Sequence, residues 1–550
     1  MEALWFLLIG ALLVAMALGR GLVARLPLSG AMVYLVVGFL IGPACANLLT
    51  VSLDGDVRTL RVVAETGLVV SLMAIGMHLR VPLRDPVWRV PLRLGFPAMF
   101  ATVLLVAGSG ILWGGLAPGP ALVLAAALAP TDPVLANELR VKEAGDDEPL
   151  RFALSGEGGC NDGSAYPFAL VGLALCGWPS LGSERPATFL LAMLWGISGA
   201  AAIGWACGAG MVRLVTWLRT RFGEAVGLEG FLAIGLMGLC YGAALLAHTY
   251  AFVAVFVAGV ALRHEELDAT GEQTPSEALA DVERSHKHEA ATSPELAHAY
   301  MAESMMAFAV EIERIVELGL MLLIGSIISA HWRELLDWHA IWPALFLLFI
   351  ARPAGSVVAL WGSTFDRQQR TLIAWLGIRG VGALYYLLFG LEHSRYATRP
   401  LAPVILATIV LSVFLHGCSA TPALRRYMGR YMRTPACETG RESGNAPRPP
   451  LGEAMYRIPS LPDSTRGRQM RDLASSPIRR SRRVPIIPDK PSVTPGVHAD
   501  QTPDVRRVAR RVKEHADLVE RADRRRRVEV RRRTLRRQWD CDTEAARQYG

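Results

Sequence analysis

The stretch ALAPTDPVLANELR (127–140) places two prolines and an acid inside an apolar run. Pro133 has no N–H for the Ala129 carbonyl, and Pro130 has none for Ala126. Ala129 and Asp132 precede prolines and are pushed out of the helical region. A helix crossing a membrane here should break at Thr131-Asp132. Irregular backbone survives at that depth only where protein or a cavity surrounds it. An acid between two prolines argues against a simple kink.

A second interruption lies late in the chain, AWLGIRGVGALYYLLFG (374–390), where Gly377, Gly380 and Gly382 surround Arg379. Interrupted segments at corresponding places in two halves point to an inverted repeat with its site at the breaks. The repeat is inferred from position alone, because the halves share no detectable internal identity. One break carries a negative charge and the other a positive one. Asp132 suits the positive N-terminus of a half-helix, and Arg379 the negative C-terminus.

Composition supports a membrane setting. Of 550 residues, 52% are hydrophobic and 19% charged, with the charge gathered in the last 120 or so. Soluble proteins carry about 25% charged residues. A crossing helix needs about 20 mostly apolar residues. About thirteen spans meet that measure, near 3–19, 29–48, 64–79, 90–115, 118–139, 150–176, 188–217, 230–246, 248–262, 304–328, 338–360, 371–391 and 402–423. The fold class expected is an all-α polytopic membrane protein with inverted repeats and two discontinuous crossing helices. Arg20, Arg25, Arg80, Arg84, Arg89, Arg93, Arg219, Arg221, Arg367, Arg370 and Arg425 follow odd-numbered spans, which puts those ends in the cytoplasm. Arg395 and Arg399 depart from that rule. The N-terminus is then outside and the basic tail inside.

Glu65, Asp132, Glu157, Asp162, Arg352 and Arg379 lie deep within spans. Each costs a few kcal/mol or more there unless paired or hydrated, so such residues mark ion or proton routes. The sixth span reads SGEGGCNDGSAYPFAL (155–170). Ser155, Gly158 and Asp162 share one helix face, and Glu157 points about 140° away from Asp162. Two carboxylates on different faces suggest two jobs, one locked to an arginine and one free to titrate. Thr131, Ser155 and the freed carbonyls of Ala126 and Ala129 are candidate oxygen ligands beside Asp162. No nucleophile, metal or phosphate-loop arrangement indicates an enzyme.

In order, ETGLVVSLMAIGMHL (65–79), APTDPVLA (129–136), EGGCNDG (157–163), ARP (351–353), GIRGVGALYYL (377–387) and LSVFLHGCSATPAL (411–424) resemble the sodium/proton exchanger branch of the monovalent cation:proton antiporter superfamily. The resemblance covers nearly all of residues 1–430. It implies a thirteen-helix inverted-repeat fold, usually a homodimer, in the inner (plasma) membrane, serving pH and cation homeostasis without a cofactor. It further implies that Asp162 binds the transported Na+ and the proton, with Asn161 as in electroneutral members. Thr131 and Asp132 then belong to the crossing-helix motif, Glu157 and Arg352 form a supporting ion pair, and Glu65 is an accessory acid. Gly158 stands where many prokaryotic members have serine. K+/H+ exchange on the same fold and a non-transporting membrane sensor that regulates the tail are the alternatives.

The transporter domain is expected over 1–430, with a polar cytoplasmic insert at 264–303 containing His264, His286, His288 and His298. Residues 434–502 are rich in Pro, Ser and Arg and read as a disordered linker. Residues 503–550 read as an Arg-rich helical tail suited to anionic membrane lipids, nucleic acid or a cytosolic partner. The eight cysteines show no CxxC pair and read as single, buried thiols.

Overall fold

The computed structural model of the chain describes residues 29–53, 57–132, 148–178, 191–222, 227–271 and 296–431, with the backbone of 186–190 and a few isolated positions besides. All of these fall within the unit Met1–Met455. Most of the first span, residues 133–139 of the fifth, His286 and His288 of the insert, Cys437, Cys541 and the tail segments 434–502 and 503–550 lie outside the described residues.

Every regular element among the described residues is helical. In chain order these are α1 (Gly30–Ile41), α2 (Val57–His78), α3 (Pro86–Leu112), α4 (Pro118–Leu128), α5 (Pro149–Leu175), α6 (Pro186–Phe222), α7 (Glu229–Leu246), α8 (Ala251–Thr270), α9 (Ala297–Leu335), α10 (Trp338–Ala359), α11 (Arg367–Trp375), α12 (Val381–His393) and, after a short turn, α13 (Ala402–Tyr431). Among the described residues, seven segments are long and apolar enough to cross a membrane.

Local chemistry sets several boundaries. Ser29 accepts from Met32 N–H at 3.3 Å to open α1. That helix stops at Ile41, short of the expected 48, because Pro43 holds Gly42 extended at φ −75°, ψ −177°. Glu148 caps α5 by accepting from Arg151 N–H at 2.9 Å, with Pro149 at the first helical position. Asp366 and Gln369 form a reciprocal capping box at α11.

Two π-turns, Leu94–Ala98 in α3 and Leu347–Ala351 in α10, fall in the spans just before the two broken ones. Pro97 sits inside the first and Pro353 just beyond the second. A missing N–H loosens the helical ladder at each place. The two spans meet there: a Cβ on Gly355 would lie 2.9 Å from the Ala98 carbonyl. Elsewhere backbones also approach closely. A Cβ on Gly76 would lie 2.4 Å from the Phe256 carbonyl, and one on Gly259 would lie 2.7 Å from that of Met73. Small residues of this kind let membrane helices gain packing energy without a hydrophobic drive between them. The outer faces of α6 and α7 expose Leu191, Leu194, Trp217, Phe231, Leu239 and Leu246, as a lipid-facing surface requires.

The polar insert is narrower than expected. Helix α8 continues through His264 to Thr270, and α9 begins at Ala297. Hydropathy ends α8 early because Arg263 and Glu266 are charged, yet both are buried. Arg263 donates to the Met77 carbonyl at 2.6 Å and to Glu266 at 3.2 Å, and Arg80 reaches Glu266 at 3.0 Å. The cluster ties the end of α2 to α8. The cysteines also differ from expectation: Cys240 is buried, whereas Cys45 and Cys418 are exposed.

Candidate functional site

Helix α4 ends at Leu128, and Ala129–Asp132 runs on without helical form. Helix α11 ends at Trp375, and Leu376–Gly380 is likewise non-helical before α12 begins. The two irregular strands of backbone cross and bond: Asp132 N–H donates to the Ile378 carbonyl at 2.7 Å. Three described helix ends therefore converge, each with peptide groups that lack an intrahelical partner.

Two side chains answer that need. Asp132 Oδ2 accepts from Val381 N–H at 3.1 Å, at the positive end of α12. Arg379 Nε donates to the Leu128 carbonyl at 2.9 Å, and its Nη2 lies 3.4 Å from the Ala129 carbonyl, at the negative end of α4. Its Nη1 takes the Gly377 carbonyl at the end of α11. Ser412 Oγ accepts from Arg379 N–H at 2.8 Å and lies 3.1 Å from His416 Nδ1, so α13 braces the second break. The Ala129 carbonyl, offered above as an ion ligand, is turned to Arg379 instead.

Asp132→Ala should leave the buried Val381 N–H without its acceptor, at about 1–3 kcal/mol. Asp132→Asn keeps a carbonyl oxygen in place and should lose less. Thermal unfolding of the two variants in detergent gives the comparison; equal losses would contradict the capping role.

Helix α5 passes beside this crossing. Asp162 is 5% exposed. A Cβ on Gly382 would lie 2.9 Å from its Oδ1, so the carboxylate rests directly on the first turn of α12. Tyr386, one turn further along α12, donates its hydroxyl to the Asp162 main-chain carbonyl. Asn161 Nδ2 donates to Thr131 Oγ1 at 2.7 Å and joins α5 to the first break. Asn161 Oδ1 is buried and has no partner among the described residues.

Glu157 faces away from this carboxylate and meets Arg352 on α10 in a bidentate pair, with Nη2 to Oε2 at 2.8 Å. Both side chains are under 5% exposed. Arg352 Nη2 also donates to the Ile373 carbonyl of α11 at 3.2 Å. Gly377 makes room for both arginines: a Cβ there would fall 2.6 Å from Arg379 Nη1 and 2.7 Å from Arg352 Nε.

The structure thus brings Thr131, Asp132, Asn161, Asp162 and Arg379 to one crossing, with Glu157 and Arg352 alongside. Ser155 is buried on α5 seven residues before Asp162, about 10.5 Å along the axis at 1.5 Å per residue. Glu65 belongs to a different cluster: Arg61 binds it together with Glu392, and the Tyr241 hydroxyl donates to its other oxygen. Tyr386, Ser412 and His416 escaped the residue-by-residue reading. The i,i+4 spacings Gly382/Tyr386 and Ser412/His416 carry the signal, since each pair shares a helix face.

Comparison with known proteins agrees with this architecture. The sodium proton antiporter MjNhaP1 from Methanocaldococcus jannaschii shares the fold. Its structure at pH 8 superposes with a TM-score of 0.55 at 20% identity, covering 76% of this chain and all of that one. Its electron-microscopy structure gives 0.59 at 19% identity, covering 78% and 99%. A Na(+)/H(+) antiporter of Saccharomyces cerevisiae is 31% identical over 156 residues, 27% of this chain and 16% of that protein. Na(+)/H(+) antiporter 2 of Zygosaccharomyces rouxii is 29% identical over 164 residues, 29% and 20% of the two chains. The chain therefore spans a fifth or less of these yeast relatives. Residues 9–426 match the family described as sodium/hydrogen exchanger, transmembrane, a stretch that holds both broken helices and every residue of the crossing. On that match the chain belongs to the sodium/hydrogen exchanger family.

Proposed function

We propose that this protein exchanges a monovalent cation, Na+ first, for H+ at the single carboxylate of Asp162. The observation that carries the reading is a buried acid lying on the first turn of a broken helix, with the oxygen of Asn161, which has no partner among the described residues, one residue away. Protonated, Asp162 has no charge to hold a cation. Ionised, it binds a small hard cation with other oxygens around it. Asn161, Thr131 and water are the nearest candidates, and Ser155 stands two turns away along the same helix. Proton and cation then compete for one place, and movement of the crossing past a fixed barrier gives alternating access.

Asp132 and Arg379 are bound to helix ends, and Glu157 is neutralised by Arg352. Only Asp162 then changes state in the cycle, so one cation exchanges for one proton with no net charge moved. A membrane potential imposed on vesicles should leave the initial rate unchanged, and potential-driven flux would rule out this stoichiometry.

We place the protein in the inner (plasma) membrane as a multi-pass homodimer, with the N-terminus outside and the basic tail inside, serving pH and cation homeostasis. Proton release from everted vesicles, reported by a dye on adding Na+, Li+ or K+ in turn, tests the function. Release by Na+ and Li+ is the expected result. Release by K+ alone would assign K+/H+ exchange, and release by none would end the exchange reading.

A further inference from the structure

Close approaches between backbones sort the described helices into two groups. In the first, a Cβ on Gly38 of α1 would lie 2.5 Å from the Leu322 carbonyl of α9, and one on Gly259 of α8 would lie 2.7 Å from the Met73 carbonyl of α2. Helix α7 packs on α2, α6, α8 and α9 and goes with them. In the second, a Cβ on Gly172 of α5 would lie 2.8 Å from Val123 N of α4, and one on Gly355 of α10 would lie 2.9 Å from the Ala98 carbonyl of α3. Helix α12, bonded to the crossing through Val381, goes with these. Where the groups meet, side chains intervene: Cβ atoms on Gly159 and Gly163 of α5 would strike the Phe256 ring and Val253 Cγ2 of α8. That seam is the place for one packed body to slide on the other.

An ion pair crosses the seam near the end of α12. Arg61 of α2 binds Glu392 of α12 and also Glu65, one turn along its own helix. The Tyr241 hydroxyl of α7 donates to the other oxygen of Glu65, which fixes that carboxylate and so aims Arg61 at α12. The side chains of Glu65, Arg61 and Glu392 are 15%, 19% and 28% exposed, so water reaches all three. Glu392 lies ten residues beyond Gly382, about 15 Å along the helix at 1.5 Å per residue. Between them Tyr385 meets Phe252 of α8 with ring centroids 5.0 Å apart, and Phe389 meets Tyr166 of α5 at 5.6 Å. Tyr166 in turn meets Tyr250, at the start of α8, at 5.4 Å. Rings from both groups therefore fill the seam between Asp162 and the ion pair.

We infer that Arg61 is a latch of the exchange cycle: its bond to Glu392 holds the outer side of the seam shut and breaks when Asp162 turns to face that side. The inference rests on the exchange reading and the orientation proposed above. It gives Glu65 the task of aiming Arg61, not of binding the transported ion. Two acids share one arginine here. When Glu392 draws away, Arg61 keeps Glu65 as its partner, and Glu392 meets water at the opened mouth. Neither charge is stranded in the protein, so the latch opens at small cost, as a part that works in every cycle must.

The experiment titrates Na+ on each face of the full chain, in everted and right-side-out vesicles, for wild type and Glu392→Gln. Loss of the latch depopulates the state that faces the cytoplasm, and apparent affinity falls with the fraction competent to bind. The cytoplasmic KM should rise and the outer KM fall, changing their ratio by about fivefold, the upper worth of a partly exposed ion pair. A variant that merely weakens α12 lowers the maximal rate on both faces and leaves the ratio where it was, and that result overturns the inference. A second measurement does not depend on that variant. Arg61→Cys/Glu392→Cys, joined by a bis-methanethiosulfonate reagent, should lose exchange in proportion to the fraction cross-linked and regain it on reduction, with each single-cysteine variant as the control for native thiols. Undiminished exchange by the cross-linked protein would show that α2 and α12 do not part at this point, and would overturn the latch. Wild-type vesicles that exchange no cation overturn the exchange reading itself, whereas normal wild-type exchange with an unshifted Glu392→Gln ratio strikes the latch alone.

Discussion

Asp162→Asn is expected to reduce cation-driven proton release to the level of vesicles without the protein, while the variant still purifies folded. The substitution keeps size and shape. Asparagine fits the space against Gly382 as aspartate does, and the Tyr386 hydroxyl binds the main-chain carbonyl of residue 162, which the change leaves in place. What is lost is the charge and the titratable proton together. An amide oxygen can still touch a cation, but it cannot release a proton to admit one or take a proton to expel it. Competition between the two ions is the whole mechanism proposed here, so the variant has no coupled cycle left. Dye-reported pH in everted vesicles reads the rate, and size-exclusion elution reads the fold. Robust exchange by the asparagine variant would sink the assignment. Asp162→Glu gives a second view. Its extra methylene drives the carboxyl group toward the α12 backbone, so it should lose most of its activity although it keeps a titratable acid.

Much of this site is readable from residue types because a membrane leaves few solutions for polar atoms. Two prolines around Asp132 and three glycines around Arg379 mark the breaks, since freed peptide groups at that depth must be answered from nearby. A negative side chain in one break and a positive one in the other already imply the crossed capping that Val381, Leu128 and Ala129 complete. Spans follow from hydropathy for the same reason. The failures have a common physical cause as well. Hydropathy counts a charge as polar whether or not it is paired, so the buried Arg263–Glu266 pair looks like the start of a loop. Helical spacing says which residues share a face and is silent on what that face meets. It could not show that Arg379 would take the Ala129 carbonyl, that the Tyr241 hydroxyl would reach Glu65, or that Ser412 would support the second break. Those facts depend on the relative rotation of helices whose paired residues lie 33 to 250 positions apart in the chain.

Arg352→Met should cost about 3–5 kcal/mol of stability, the largest loss expected from any single change at this site, because it leaves Glu157 buried and uncompensated. The pair is bidentate and almost wholly inside the protein, and Arg352 is also bonded to the Ile373 carbonyl. Glutamate stranded there has two courses. It stays ionised at a high desolvation cost, or it takes a proton and becomes a second titrating acid near the crossing. The double variant Glu157→Leu/Arg352→Met separates the worth of the pair from the cost of breaking it. Burying two charges is itself expensive, so well-packed apolar residues of similar volume restore most of the stability. Thermal unfolding in detergent should rank wild type and the double variant together, with Arg352→Met well below both. The transport assay then asks what the pair does beyond holding the fold. If Glu157 only needs to be neutral for Asp162 to work alone, the double variant exchanges Na+ for H+ and remains insensitive to membrane potential. A double variant that is stable and yet driven by potential would show that Glu157 and Arg352 take part in the charge balance of the cycle, and the one-for-one exchange would have to be abandoned.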